Sequence, residues 1–428
     1  MMLVLYRTVR KSLNFERIIE ILKKGALYFG ASFMGLLLSI YTFPILSKYL
    51  SEKDFAVFNY FTNLSVFFTF IFALQFYVYF SAAYYRSNEE EKKKLVSTLV
   101  LSLLIWNPII LCVIYGALLI YFRFVHLTIP FYPYCFLALI TVSASIYKGI
   151  YLLKLRLNQK AVPFFYISVV YKIGTILLGL FLVMSLSDRV LGRFYGVMFV
   201  EILVAIYCVI SLLKGVSFRI DRGVLKTAIR YIIPLLGASL IYYPVIGLDQ
   251  ITLERLNNTR ELGFYSLGLT FAGYLHMLNY SVYQAIEPDI IKSTIHFNKK
   301  KLSVIIICML GFTLLTSISF VLTSKFLINY LTGGKFVYSA NYCNILVMSY
   351  VFVISFSMGA TILNALKLNK ASFYTTLIGG LFSVVVYILA AKFGGFYTVA
   401  FTRILVFIVL TLISFYFVYK ELRIKGMI

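Results

Sequence analysis

Twelve long apolar segments follow one another along this chain with only short links between them. They cover 26–49, 55–85, 95–122, 131–153, 162–186, 194–213, 231–249, 262–286, 302–323, 341–365, 372–391 and 397–419. A helix needs roughly 20 residues to cross a bilayer core. The segments are solidly apolar instead of alternating, which excludes the strands of a membrane barrel. Lipid offers no hydrogen bonds to open backbone groups, so each crossing segment must be helical. The chain is 61% hydrophobic and 13% charged, whereas a soluble domain is about 45–50% apolar and about 25% charged. The expectation is an all-α integral membrane protein with twelve transmembrane helices and no inserted soluble domain.

The second half of the sequence restates the first. The stretch from Phe218 to Tyr265 holds a basic lead-in, an apolar run from Tyr231 to Gly247, then Asp249, Gln250 and a short polar link. At an offset of 207 residues, Gly30-Ala31-Ser32 meets Gly237-Ala238-Ser239. In the same register Lys48 meets Arg255, Lys53 meets Arg260, Asp54 meets Glu261, Ala56 meets Gly263 and Phe58 meets Tyr265. A repeat of half a chain marks two-lobed transporters. It predicts two pseudo-symmetric six-helix lobes. Residues 1–214 form an N-terminal lobe that opens with an interfacial helix, and residues 215–428 form a C-terminal lobe. In the N-terminal lobe, Glu16 to Lys24 sets isoleucines and a leucine among charges, the pattern of a helix lying on a membrane surface.

The formal charge of +24 could suggest a nucleic-acid partner, but no basic helix stands free of the apolar runs. Lys and Arg instead flank them: 27 lie on one side of the predicted membrane, 10 on the other, and Lys148, Lys172 and Arg403 lie inside segments. Basic residues stay on the cytoplasmic side, which places both termini in the cytoplasm and leaves no role for nucleic acid. The inner lysine-rich links also favour anionic lipid.

Ionisable groups inside a membrane segment are costly, so each is a functional candidate. Lys172 sits near the middle of the fifth segment, Lys148 toward the inner end of the fourth, Glu201 in the outer half of the sixth and Arg403 in the outer third of the twelfth. Plain readings compete: Lys148 can snorkel to the inner edge, and Glu201 can neutralise Arg403 or Lys172. In the eighth segment Tyr265, Leu269, Ala272, His276, Asn279 and Tyr283 share one helix face. His276 suits either a cavity or a core histidine bonded to a neighbouring helix. Asn59 and Asn63, one turn apart in the second segment, suit a cavity or interhelical hydrogen bonds. Asp249 closes the seventh segment, lining a cavity or pairing with Arg255. The five cysteines form no CxxC pair, and the three histidines, His126, His276 and His296, lie on different segments. No hydrolase, metal or phosphate-loop motif is present. Neither an enzyme nor a metal or other cofactor is expected.

The stretch Pro44-Ile45-Leu46-Ser47-Lys48-Tyr49-Leu50-Ser51-Glu52-Lys53-Asp54-Phe55 resembles the polysaccharide exporter and O-antigen flippase family. So do Leu225 to Pro234, Asp249-Gln250, Glu261-Leu262-Gly263-Phe264-Tyr265, Leu155 to Ala161, and Gly394 to Phe401. The family belongs to the multidrug, oligosaccharidyl-lipid and polysaccharide exporter superfamily, and the resemblance spans essentially the whole chain. It implies two six-helix lobes forming a V around a central cavity. It also implies a flippase of the bacterial cytoplasmic (inner) membrane. Such a protein moves an undecaprenyl-diphosphate-linked oligosaccharide, an O-antigen or other surface polysaccharide repeat unit, by alternating access. Its implied partners are that lipid-linked oligosaccharide, membrane lipids and other polysaccharide assembly proteins. Fixed positive charge in the cavity would shield the diphosphate, with the polyprenyl tail left in lipid. Two rivals stand beside it. A cation-coupled multidrug exporter of the same superfamily would be expected to carry an acid in its first segment, which this chain lacks. A membrane enzyme on lipid-linked sugars would need larger loops.

Overall fold

The computed structural model describes residues 15–84, 87–124, 129–296, 298–366 and 368–424. His126 lies outside the described residues, as do the chain ends on which the placement of the termini depends. The helices are α1 (Phe15–Tyr49), α2 (Glu52–Ala73), α3 (Phe76–Tyr84), α4 (Glu89–Phe124), α5 (Tyr134–Leu157), α6 (Ala161–Ser185), α7 (Arg189–Leu213), α8 (Arg222–Glu254), α9 (Thr259–Ile295), α10 (Lys299–Thr332), α11 (Ser339–Ala365) and α12 (Asn369–Ile424). No strand occurs among the described residues. Nine of these helices are long and apolar enough to cross a membrane.

Two elements divide differently from the apolar pattern. The second segment, continuous in sequence, breaks into α2 and α3 at Leu74 and Gln75, both left-handed. The eleventh and twelfth segments both lie in α12, interrupted at Gly395 (φ 70°, ψ −156°), a conformation only glycine adopts readily. The basic lead-in Glu16–Lys24 is the first part of α1 and runs into the first apolar segment without a break in the helix.

Local signals explain where helices begin. Ser51 caps α2: its hydroxyl accepts from the Asp54 amide, and Asp54 returns the bond to the Ser51 amide. Asn258 caps α9 by accepting from the Glu261 amide. These two caps are 207 positions apart, so the sequence repeat is also a structural register. Packing repeats with it. In the first half α1 packs on α6, α6 on α7, α7 on α5 and α5 on α2; in the second α8 packs on α12, α12 on α11 and α11 on α9. Not every repeated residue has matching neighbours. Gly30 lies beside Phe165, whereas Gly237 faces open space.

Small residues draw helices together. A Cβ on Gly196 would fall 2.4 Å from the Gly179 Cα, so α6 and α7 touch backbone to backbone. The halves close at the end where α1 meets α2, called here the far end. There Phe43 and Phe55 stack with ring centroids 5.5 Å apart, and Phe271 and Phe336 of the second half pack edge-on against them. The Lys335 ammonium donates to the carbonyls of Ser47 (3.0 Å) and Leu50 (2.5 Å).

Candidate functional site

Between the halves lies a cavity of about 170 Å³, walled by α1, α2, α6 and α7 and closed from the second half by Thr270 and Tyr274 of α9. Lys172 enters it from α6. Gly35 of α1 leaves room for its stem: a Cβ there would already be 3.4 Å from the Lys172 Cε. Arg193 enters from α7. Its guanidinium lies 3.8 Å from the centre of the Phe58 ring and 5.3 Å from that of Phe55, and Nη1 is buried without a hydrogen-bond partner. Asn59 lines the same cavity with Nδ2 buried and unpaired. Among the described residues neither cation has an ion-pair partner, and no carboxylate lines the cavity. Two fixed cations, two unused donor groups and no counter-charge make a site that favours an anion rich in acceptor oxygens.

Four other charged candidates form two pairs. Lys148 closes on Glu201 at 2.7 Å and stands 3.1 Å over the Tyr171 ring. It therefore does not snorkel, and Glu201 neutralises neither Arg403 nor Lys172 by direct contact. Arg403 donates to Asp249 at 2.6 Å, and Tyr265 donates to the same carboxylate oxygen at 2.6 Å. Arg403 is 4% exposed and Asp249 0%, so this pair is sealed between α8 and α12 away from the cavity. Asp249 does not pair with Arg255, which meets the Tyr121 hydroxyl.

The polar face of the eighth segment packs against neighbouring helices. His276 stacks on Tyr350 of α11, with centroids 4.3 Å apart and planes at 13°, and its Nδ1 is buried without a partner. Its contact with the neighbouring helix is therefore a ring stack, with no hydrogen bond from Nδ1. Asn279 accepts from Thr316 of α10 at 3.1 Å. Asn63 donates to the Gly247 carbonyl at 3.0 Å and ties α2 to α8, the interhelical role its position allowed.

A sequence profile described as polysaccharide biosynthesis protein matches residues 21–294, more than half of the chain. The chain belongs to this family. Among solved structures it is similar to lipid II flippase MurJ in an inward closed conformation, with a TM-score of 0.74 and 16% identity over 93% of this chain and 87% of that one. It is also similar to an inward-facing MATE family multidrug resistance transporter of the MOP superfamily (TM-score 0.63, 13% identity, 94% and 95% covered). A third is a point mutant of the Vibrio cholerae MATE transporter VcmN (TM-score 0.60, 13% identity, 96% and 99% covered). A search of the curated proteins finds no match. The family, the fold and the apolar helices make this a multi-pass membrane protein with the fold of flippases and transporters.

Of the charged candidates inside segments, then, only Lys172 lines the cavity between the halves, with Asn59 beside it. Arg193 escaped the sequence reading because it precedes the sixth apolar segment and counts there as a flanking charge. A helical signal was present all the same: Arg193, Val197 and Glu201 recur every four residues, one face of α7.

Proposed function

We propose that this protein is a flippase that moves an undecaprenyl-diphosphate-linked oligosaccharide from the cytoplasmic to the outer leaflet of the bacterial cytoplasmic membrane. The observation that carries the reading is the pair of uncompensated cations, Lys172 and Arg193, in a cavity shared by both halves. A central lysine costs roughly 2.5–3.5 kcal/mol to insert. A diphosphate supplies the counter-charge and the acceptors that Arg193 Nη1 and Asn59 Nδ2 lack. At about 170 Å³ the cavity is too small for an oligosaccharide, so the halves must part around it for one to load. Residues 1–214 and 215–428 act as two lobes that rock about it. The termini and the links α5–α6 and α9–α10 face the cytoplasm, as the basic bias requires. Membrane lipids and other polysaccharide assembly proteins are its partners, and no cofactor takes part.

Complementation tests this. In a strain lacking its repeat-unit flippase, the wild-type chain restores surface polysaccharide. Lys172→Gln and Arg193→Gln reach the membrane at normal level but do not restore it, and Lys172→Arg restores it in part. Full activity of both Gln variants would defeat the reading. Drug resistance without polysaccharide rescue would return the chain to the multidrug exporters. Reporter fusions at Lys160 and Lys299 read inside and at Asp188 and Lys335 outside; the opposite pattern overturns the orientation.

A further inference from the structure

Away from the central cavity, a second concavity of about 400 Å³ opens at the near end of the first half, opposite the α1–α2 turn. Four segments converge on it. Lys92 and Lys93 come from the first two turns of α4, Lys154 from the last turn of α5, Lys160 from the α5–α6 turn and Lys214 from the link after α7. The left-handed Gly215 (φ 74°) turns the chain directly behind Lys214. Tyr84 forms part of the wall, and its hydroxyl donates to Asn158 at 2.8 Å. The one acid present, Glu89, is taken by Lys92 at 2.8 Å. Lys93, Lys154, Lys160 and Lys214 have no ion pair among the described residues.

Ordinary flanking lysines fan out into water or find a carboxylate. The second half shows the latter at the same end, where Lys301 closes on Asp289 at 2.9 Å. Here four lysines without an ion pair line one cleft, an arrangement that raises the free energy of the empty site. The walls also carry Val96, Val216 and the Tyr84 ring, so the cleft offers apolar contact next to charge. That combination fits a phosphate ester attached to a glycerol or prenyl chain at the bilayer surface. It suits a soluble polyanion less well.

We propose that this cleft is a binding site for the phosphate of a membrane lipid, separate from the central cavity. The inference needs only that this end of the helices lies at a membrane surface, so it stands or falls independently of the flippase reading. Two lipids present that chemistry: an anionic phospholipid of the bilayer, and the polyprenyl-diphosphate carrier waiting at the surface.

The test is native mass spectrometry of the purified full chain with phosphatidylglycerol, phosphatidylcholine or undecaprenyl diphosphate. Wild type holds phosphatidylglycerol through delipidation and prefers it to phosphatidylcholine. Lys154→Gln/Lys160→Gln weakens that binding about 30-fold, the loss expected for two surface lysines, while Lys301→Gln leaves it unchanged. If undecaprenyl diphosphate displaces phosphatidylglycerol from wild type, and the double variant loses both, the cleft serves the carrier. If only phosphatidylglycerol depends on the two lysines, the cleft holds a bilayer phospholipid. Equal binding of both lipids by wild type and double variant overturns the proposal.

Discussion

Arg403 and Lys172 are both cations deep inside apolar segments, yet their surroundings assign them opposite duties. Arg403 is locked on Asp249 with Tyr265 donating to the same oxygen, whereas Lys172 faces a cavity without a carboxylate. Removing one member of a buried pair strands the other, at a cost of about 3–5 kcal/mol. Arg403→Gln should therefore lower the thermal unfolding temperature in detergent, and Arg403→Gln/Asp249→Asn should recover most of the loss. An Arg403→Gln protein as stable as wild type but unable to restore polysaccharide would move Arg403 into the substrate site. These duties were only partly legible in the sequence. Position along a segment marked Lys172, Arg403, Lys148 and Glu201 as unusual, because depth follows from counting residues. Pairing could not be read, because Lys148 with Glu201 and Asp249 with Arg403 join helices 53 and 154 residues apart.

At the scale of elements, the presence of helices was the most legible feature, because apolar length is local. Their starts were not: most apolar runs begin some residues inside the helices, and the caps Ser51 and Asn258 lie outside those runs although they keep the 207-residue register. The break at Leu74 and Gln75 was hidden, since neither residue type favours a left-handed backbone and the apolar run continues through it. The far-end contact was hidden too. Lys335 counted as one more flanking charge, but its ammonium caps the C-terminal carbonyls of α1 from the opposite half of the chain. Gly263 reinforces that closure: a Cβ there would sit 2.1 Å from the Glu52 carbonyl oxygen, so α9 approaches the start of α2 only because the side chain is missing. Lys335→Met keeps the stem and removes the donors, and it should release the far end. The readout is labelling of a cysteine at position 270, facing the cavity, by a membrane-impermeant maleimide in a cysteine-free background. Labelling should rise in the Lys335→Met protein, and unchanged labelling would show that the lysine does not hold the closure.

In the whole molecule, two halves of similar packing meet at one cation-lined cavity. The fold follows from the periodic apolar segments and the repeat, and its likeness to MurJ and to MATE transporters agrees with both. The proposed anionic substrate is tested by chemistry inside the cavity, and the most direct measurement isolates that chemistry from the cell. Purified protein is reconstituted into vesicles carrying a fluorescent undecaprenyl-diphosphate-linked oligosaccharide, and an impermeant quencher reports how fast inner-leaflet label becomes accessible. Wild type should expose the inner-leaflet pool. Lys172→Gln/Arg193→Gln, with an unchanged unfolding temperature, should do so at least about tenfold more slowly, the equivalent of about 1.4 kcal/mol lost from the crossing step. Crossing by the double variant at the wild-type rate, or no crossing by wild type above protein-free vesicles, would contradict a cation-guided flippase.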